Sequence, residues 1–466
     1  MRDSQTDRFA VAIFLLVAGY ALIAGLLVQE VVVPTLVGEE GENGLLPILD
    51  TATFHEIAVE MSVEMESRGW AAWEWNPGWS ANQPVGIMAA VYYWFGPDPI
   101  YLLPVNAVFH GLSAVVLFYL FLAIGAPIKA SFAGILPFVF FPSTLTWVSQ
   151  FHKDGLYCLG LFTMFLGCVK ILSARSWSAR IIGVFCLVVG GFAAGLMRGY
   201  GVTVFMVAVL GCGSFLVFAT LLSKKRRVSR EMLNYVVFIV GLILVSPFSG
   251  SKGGHISSGD SEPKEISAVV ETAGDPTKAR SQEAEKKEKE VGDGWVPPVT
   301  PWESSSWLPG PIDRNIHRLI HNRTVFFWLF PESGSLVDAD KVFSGAGDVI
   351  AYVPRALAIG LFAPFPNMWF EEALTRTGGL QRKVSAVETF SAYLLLAGCI
   401  YGLFRWPNRE KCFVVLAAVL LVVALVYPVP SVGSLYRLRF GAFSLLLGIG
   451  AVSLYQAFLT KRFRGC

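Results

Sequence analysis

The sequence predicts an all-α polytopic membrane protein, and three observations carry that expectation. Only 15% of the 466 residues are charged against 54% hydrophobic, whereas soluble domains hold about 25% charged residues. Apolar runs of membrane-spanning length recur at 9–33, 101–123, 130–148, 155–173, 181–197, 201–222, 232–249, 386–404, 412–429 and 438–459, about ten transmembrane helices. Basic residues gather in alternate loops between them, at Arg175 to Arg180, Lys224 to Arg230, Arg405 to Lys411 and Lys461 to Arg464.

The first run is too long for a signal-peptide core and lacks a small-residue cleavage site, so it is expected to remain as an anchor. Loops rich in Lys and Arg face the cytoplasm. Ten spans with both termini cytoplasmic put all four basic segments on that side. The loops with Asp50, Lys153-Asp154, Arg198, 250–385 and Arg437 then share the external face. This divides the chain into an N-terminal membrane module, 1–249, with a first external loop at 34–100. An external segment, 250–347, and a C-terminal membrane module, 348–466, follow.

Within the first external loop, Leu49-Asp50-Thr51-Ala52-Thr53-Phe54-His55-Glu56 opens an amphipathic run. It continues past Trp70, Trp73, Trp75 and Trp79 to Gln83-Pro84, which suggests juxtamembrane helices. An acid just outside a first span, followed by tryptophans at the membrane surface, suits an enzyme acting on a lipid-anchored substrate. The plain alternative is a solvated loop carboxylate.

Residues 250–311 are poor in large apolar side chains and include Glu283-Ala284-Glu285-Lys286-Lys287-Glu288-Lys289-Glu290. Such composition predicts a disordered or weakly helical insertion. The run Arg314 to Arg323 reads as an amphipathic helix whose cations could touch lipid head groups, and Asn322-Arg323-Thr324 matches a glycosylation sequon. The stretch 348–366 is apolar, but Pro354, Pro364 and Pro366 disfavour a straight helix. One more span would also turn Arg405 to Lys411 outward, so a re-entrant or interfacial element is expected.

The charged residues at the mouths of spans are the candidates for chemistry. His152-Lys153-Asp154 opens one span, and such charges are costly against lipid. Lys153 could meet a phosphate, with Asp154 as its orienter or a second acid. An internal ion pair in a solvated turn is the alternative. Arg198, in Met197-Arg198-Gly199-Tyr200-Gly201, sits in a very short hairpin. Arg437 and Arg439 open the last span, and Arg355 opens the 348–366 element. Arginine forks match phosphate oxygens, and they equally suit anionic lipid head groups. The seven cysteines form no CxxC pair, so neither a zinc site nor a disulfide framework is indicated. No Walker loop, Rossmann fingerprint, HExxH or GxSxG elbow appears. A net charge of +2 gives no sign of a nucleic-acid partner.

Asp50 to Ala58, Gln83-Pro84-Val85-Gly86, Tyr93-Trp94-Phe95-Gly96-Pro97, Pro104-Val105-Asn106, Phe141-Pro142-Ser143 and Lys153-Asp154 together resemble the GT-C type integral-membrane glycosyltransferases. In particular they resemble the bacterial dolichyl-phosphate-mannose-protein mannosyltransferase-like group. Tyr436-Arg437-Leu438-Arg439-Phe440 is similar to the late arginine motif of such proteins. Lys153-Asp154 and Pro354-Arg355 to Pro366 also resemble relatives of the surface-polysaccharide polymerases.

The resemblance implies transfer of a sugar from a polyprenyl-phosphate donor to a lipid, glycan or protein acceptor at the external face of a bacterial inner membrane. It implies Asp50 as catalytic base or metal ligand. Thr51 stands where many family members have a second acid, so a divalent metal stays open and no other cofactor is implied. Lys153, Arg198 and Arg437 or Arg439 would hold the phosphate. His55, Glu56, His152, Asp154 and Arg355 complete the candidate substrate-binding set. A polymerase or ligase of lipid-diphosphate-linked glycans would lean on His55 or His152 and less on Asp50. A transporter or flippase would carry its charges near the membrane midplane.

Overall fold

A computed structural model of the chain describes residues 2–36, 44–46, 50–75, 84–222, 228–249, 300–331, 334–371 and 376–464. These are helical almost throughout. The single β-type pairing among them is an isolated bridge between Leu336 and Ser431. Seven helices are long and apolar enough to cross a membrane, or eight if one bent pair is a single span. Many large apolar side chains point outward, among them Leu15, Leu16, Phe185 and Phe404. So much exposed apolar surface suits lipid rather than water, and the chain is a polytopic membrane protein.

Helix α1 (Arg2–Leu27) runs on through a π-helical turn, Val28–Val32, into Val33–Leu36. Helices α2 (Thr51–Arg68) and α3 (Pro84–Phe95) then pack as a pair. Phe54, Ala58, Met61 and Met65 recur at helical spacing on α2 and meet Val85, Met88, Ala89 and Tyr92 of α3. Gly69, at φ +65, closes α2 where a side chain would be strained. Helix α4 is Leu103–Ala123. The expected span 130–148 is instead two helices, α5 (Ile128–Phe140) and α6 (Pro142–Ser149), bent by 67°. Pro142 holds Phe141 extended (ψ 135) and so forces the break.

Helix α7 (Lys153–Leu172) lies in a groove made by α8 (Trp177–Leu222). The helical run of α8 is interrupted at Arg198 (φ −148, ψ 76). Its neighbours show that the chain doubles back there. A Cβ on Gly160 would meet Ala194, and one on Gly167 would meet Leu187. Beyond the break Gly201 abuts Tyr157, and Phe205 packs on Phe165. The first leg is therefore antiparallel to α7 and the second parallel to it. Helix α9 (Val228–Val245) follows.

Helix α10 (Gly310–Leu329) bears the basic run 314–323. Residues 250–299 of the expected insertion lie outside the described residues. Residues 300–311 of that stretch are described, and they pack on α10. Trp302 stacks on His317 at 5.3 Å, and its indole N–H donates to Asp313. Helices α11 (Ala346–Ala351) and α12 (Val353–Phe362) form the proline-broken element expected at 348–366. Ten residues make about 15 Å of helix, too short to span. Helices α13 (Arg376–Arg405), α14 (Arg409–Val426), α15 (Val432–Leu438) and α16 (Phe440–Arg464) complete the chain. All ten apolar runs read from the sequence are helical, apart from the break at Phe141 in 130–148 and the ends of some runs.

Contacts gather several loops at one end of the bundle. Asn408 donates to the Ile124 carbonyl, and Arg409 pairs with Glu231. Arg180 donates to Asn234, which itself donates to the Leu172 and Ala174 carbonyls. His152 and Lys153 mark the opposite end of α7, and Arg198 the reversal within α8. Among the described residues, Arg180, Asn408 and Arg409 of the basic loops thus lie away from His152, Lys153 and Arg198.

Candidate functional site

The site begins with an unwound segment. Between α6 and α7 the chain runs extended through Gln150 and His152, which leaves backbone groups without helical partners. Three amides supply or secure them. Gln29, placed by the π-helical turn of α1, donates to the Ser149 carbonyl at 2.5 Å. Asn106 of α4 donates to the Gln150 carbonyl at 3.0 Å and to that of Val148 at 3.4 Å. Gln150 itself donates to the Gly44 carbonyl and accepts from the Leu46 N–H. All three amides are buried, and together they fix where His152 stands.

Five charged or titratable groups then converge from four separate parts of the chain. His152 Nδ1 lies 2.7 Å from Asp154 Oδ2. Arg198, at the reversal of α8, sets Nη2 2.7 Å from the other oxygen, Asp154 Oδ1. His152 Nε2 faces Asp50 Oδ2 at 3.6 Å, an ion-pair distance slightly beyond a hydrogen bond. Arg437 bridges the carboxylates, with Nη2 3.4 Å from Asp50 Oδ2 and Nε 3.9 Å from Asp154 Oδ2. Asp154, His152 and Arg198 are buried, while the Asp50 side chain is 53% exposed.

Asp50 is the N-cap of α2, yet its side chain makes no cap hydrogen bond. An N-cap aspartate ordinarily gives its carboxylate to the helix N–H groups. Here the carboxylate is turned toward His152 and Arg437 instead. Contact with His152, then Arg437 and Lys153, holds Asp50 well below the usual carboxylate range against the opposing effect of its partial burial. Asp50 is therefore an ionised, solvent-reachable carboxylate with His152 and Asp154 behind it.

Lys153 does not pair with Asp154, contrary to the expected orienter role. Asp154 serves His152 and Arg198, and the Lys153 ammonium stands 5.0 Å over the Phe54 ring. With Arg198 and Arg437 set against two carboxylates, Lys153 leaves the cluster one positive charge in excess. Arg437 also lines a cavity of about 710 Å³. Its wall includes Val32 and Leu36 of the α1 extension, Trp147 of α6, Val384 and Glu388 of α13, and Tyr436 of α15. Glu388 accepts the Ser143 N–H at 2.9 Å and the Ser143 hydroxyl at 2.6 Å, so a buried acid caps α6 and fixes that wall.

Other candidates lie elsewhere. His55 Nδ1 is 2.8 Å from the Tyr92 hydroxyl and ties α2 to α3. Glu56 is exposed and stands about 200° around α2 from Phe54, whose ring faces His152. Arg355 grips Asp338 with two hydrogen bonds of 3.0 and 2.9 Å. Arg439, expected on phosphate, is buried and donates to the carbonyls of Ile359, Gly360 and Ala363, where it caps α12.

Among the described residues no three of His, Cys, Asp and Glu are arranged to hold a metal ion. Both carboxylates of the cluster face arginines, Asp154 meeting Arg198 and Asp50 meeting Arg437. Comparison with protein-family models, with curated proteins and with solved structures gives no match to this chain.

Proposed function

We propose that the protein transfers a sugar from a polyprenyl-phosphate donor to an acceptor hydroxyl, as a membrane glycosyltransferase. The observation that carries this reading is the convergence of Asp50, His152, Asp154, Arg198 and Arg437, with Lys153 beside them, at the edge of a large, mostly apolar cavity. The positive excess suits a phosphate, and the apolar walls suit the chain attached to it. Asp50 takes the proton of the acceptor hydroxyl as that oxygen attacks the anomeric carbon. The bond to the leaving phosphate breaks, and Arg437 and Lys153 stabilise the charge that develops on it. Arg198 and Asp154 act from behind by fixing His152. In this reading ten segments cross the bacterial inner membrane, the legs of α8 separately, with the basic loops and both termini cytoplasmic.

The test is transfer of radiolabelled sugar from a panel of polyprenyl-phosphate sugars by purified protein in liposomes. Asp50→Asn should fold and bind donor while turnover falls by about 10²–10⁴. Equal transfer by both proteins would remove Asp50 from catalysis. One observation favours a second reading, a polymerase or ligase of lipid-diphosphate-linked glycans. His152, rather than Asp50, is the residue most fully enclosed by the cluster. Turnover of diphosphate-linked donors alone, surviving Asp50→Asn but not His152→Ala, would select it.

A further inference from the structure

A second, small cavity touches the cluster from inside the bundle. It is bounded by His110 and Ser113 of α4, Trp147 of α6, and Asp154 and Cys158 of α7. Its volume is about 20 Å³, and one water needs about 10–15 Å³ measured in this way. His110 is only 6% exposed and is held by stacking on Phe138, with ring centroids 4.5 Å apart. Its Nε2 finds no hydrogen-bond partner among the described residues, and neither does the Trp147 indole nitrogen.

Two side chains with an unpartnered buried nitrogen line this one small cavity, and a buried polar group left unpaired costs about 1–3 kcal/mol. The other walls supply what they lack. The Ser113 hydroxyl donates to the Phe109 carbonyl, which leaves its lone pairs free to accept. Asp154 Oδ1 meets Arg198, and Oδ2 meets His152 with Arg437 farther off at 3.9 Å; a carboxylate oxygen accepts more than one hydrogen bond. A buried water needs two to four polar partners, and this cavity offers them.

We infer that the cavity holds one structural water that links His110 to Asp154, and that His110 is thereby a positioning residue for the Asp154–His152 pair. The water donates to the Asp154 carboxylate and bonds His110 Nε2, so that the carboxylate is fixed from α4 as well as from Arg198. His110 touches neither the cavity beside Arg437 nor Asp50. Its effect on the reaction would run through the orientation of His152, and that part alone rests on the proposed transfer.

A structure of the full chain in lipid nanodiscs, at a resolution that shows other buried waters, tests the water directly. Density within hydrogen-bond reach of His110 Nε2 and an Asp154 oxygen is expected, and it should vanish in His110→Phe. A dry cavity in the wild-type protein overturns the inference. Kinetics test the positioning role. In His110→Phe the kcat of sugar transfer should fall several-fold with KM unchanged, and His110→Gln, which keeps a polar end, should recover much of it. No loss in His110→Phe, or equal loss in both variants, counts against positioning. If no donor supports transfer, the proposed function fails and the density alone decides the water.

Discussion

Arg437 and Arg439 stand two residues apart at the junction of α15 and α16, and their surroundings differ in kind. The Arg437 side chain is 24% exposed, lines the large cavity and reaches two carboxylates at 3.4 and 3.9 Å. Arg439 is 1% exposed, and its fork meets three backbone carbonyls at the end of α12. The first keeps hydrogen-bonding capacity directed at open space. The second closes a helix end and offers nothing to a ligand. An arginine's role is thus set by its acceptors, and these come from segments remote in sequence, Asp50 and Asp154 in one case and 359–363 in the other.

The largest effect should follow from removing the buried member. Arg439→Ala leaves three carbonyls without a donor and should cost about 3 kcal/mol or more, read as a lower melting temperature in detergent. Arg437→Ala should stay within about 1 kcal/mol of the wild-type stability. It should weaken binding of a long-chain polyprenyl phosphate by roughly tenfold or more. Equal destabilisation by the two variants would erase the contrast.

A second pair of variants sharpens it. Asp154→Asn unpairs a buried guanidinium, and breaking buried pairs costs about 3–5 kcal/mol. Asp338→Asn loosens a pair whose Arg355 side chain is 47% exposed, and about 1 kcal/mol is expected. Comparable melting temperatures would mean that the Asp154 cluster is wetter than its burial implies.

The smallest effect is one of pH. Asp50 is held below its ordinary pKa, chiefly by His152. Its contribution to stability is therefore present above the unfolded carboxylate value of about 3.9 and is lost as pH falls through the lower folded value. Half-exposure limits this contribution to less than about 1 kcal/mol. In Asp50→Asn the decline of melting temperature below about pH 4 should be shallower than in the wild type. Superimposed acid limbs would show that Asp50 is not coupled to His152.

The apolar runs were legible because lipid demands them, and each is helical apart from the break at Phe141 in 130–148 and the ends of some runs. The reversal at Arg198 was legible too, since a lone arginine beside two glycines cannot continue through lipid. The bend at Pro142 was not, because Phe141-Pro142 sits inside a run apolar enough to read as one span. Charges at span mouths pointed to Asp50, His152, Lys153, Asp154, Arg198 and Arg437. They pointed equally to Arg355 and Arg439, because residue type does not reveal an acceptor. Gln29 and Gln150 gave no signal, since neutral amides in apolar surroundings look unremarkable until their carbonyl partners are known. Glu388 did carry one: an acid within an apolar span is costly.

The π-helical turn at Val28–Val32 has a consequence for how this chain can vary. A π turn amounts to one extra residue in an α-helix, and here it delivers Gln29 to the Ser149 carbonyl. Deleting a single residue from 28–32 would restore a regular helix and rotate all that follows by about 100°. The Val32 and Leu36 walls would swing away from the cavity, and the unwound segment behind His152 would lose an anchor. On its lipid-facing side, at Leu15 or Ile23, the same helix should accept almost any apolar residue. Substitution is therefore cheap along most of α1, while a change of length near its end would be felt at the Asp50 carboxylate.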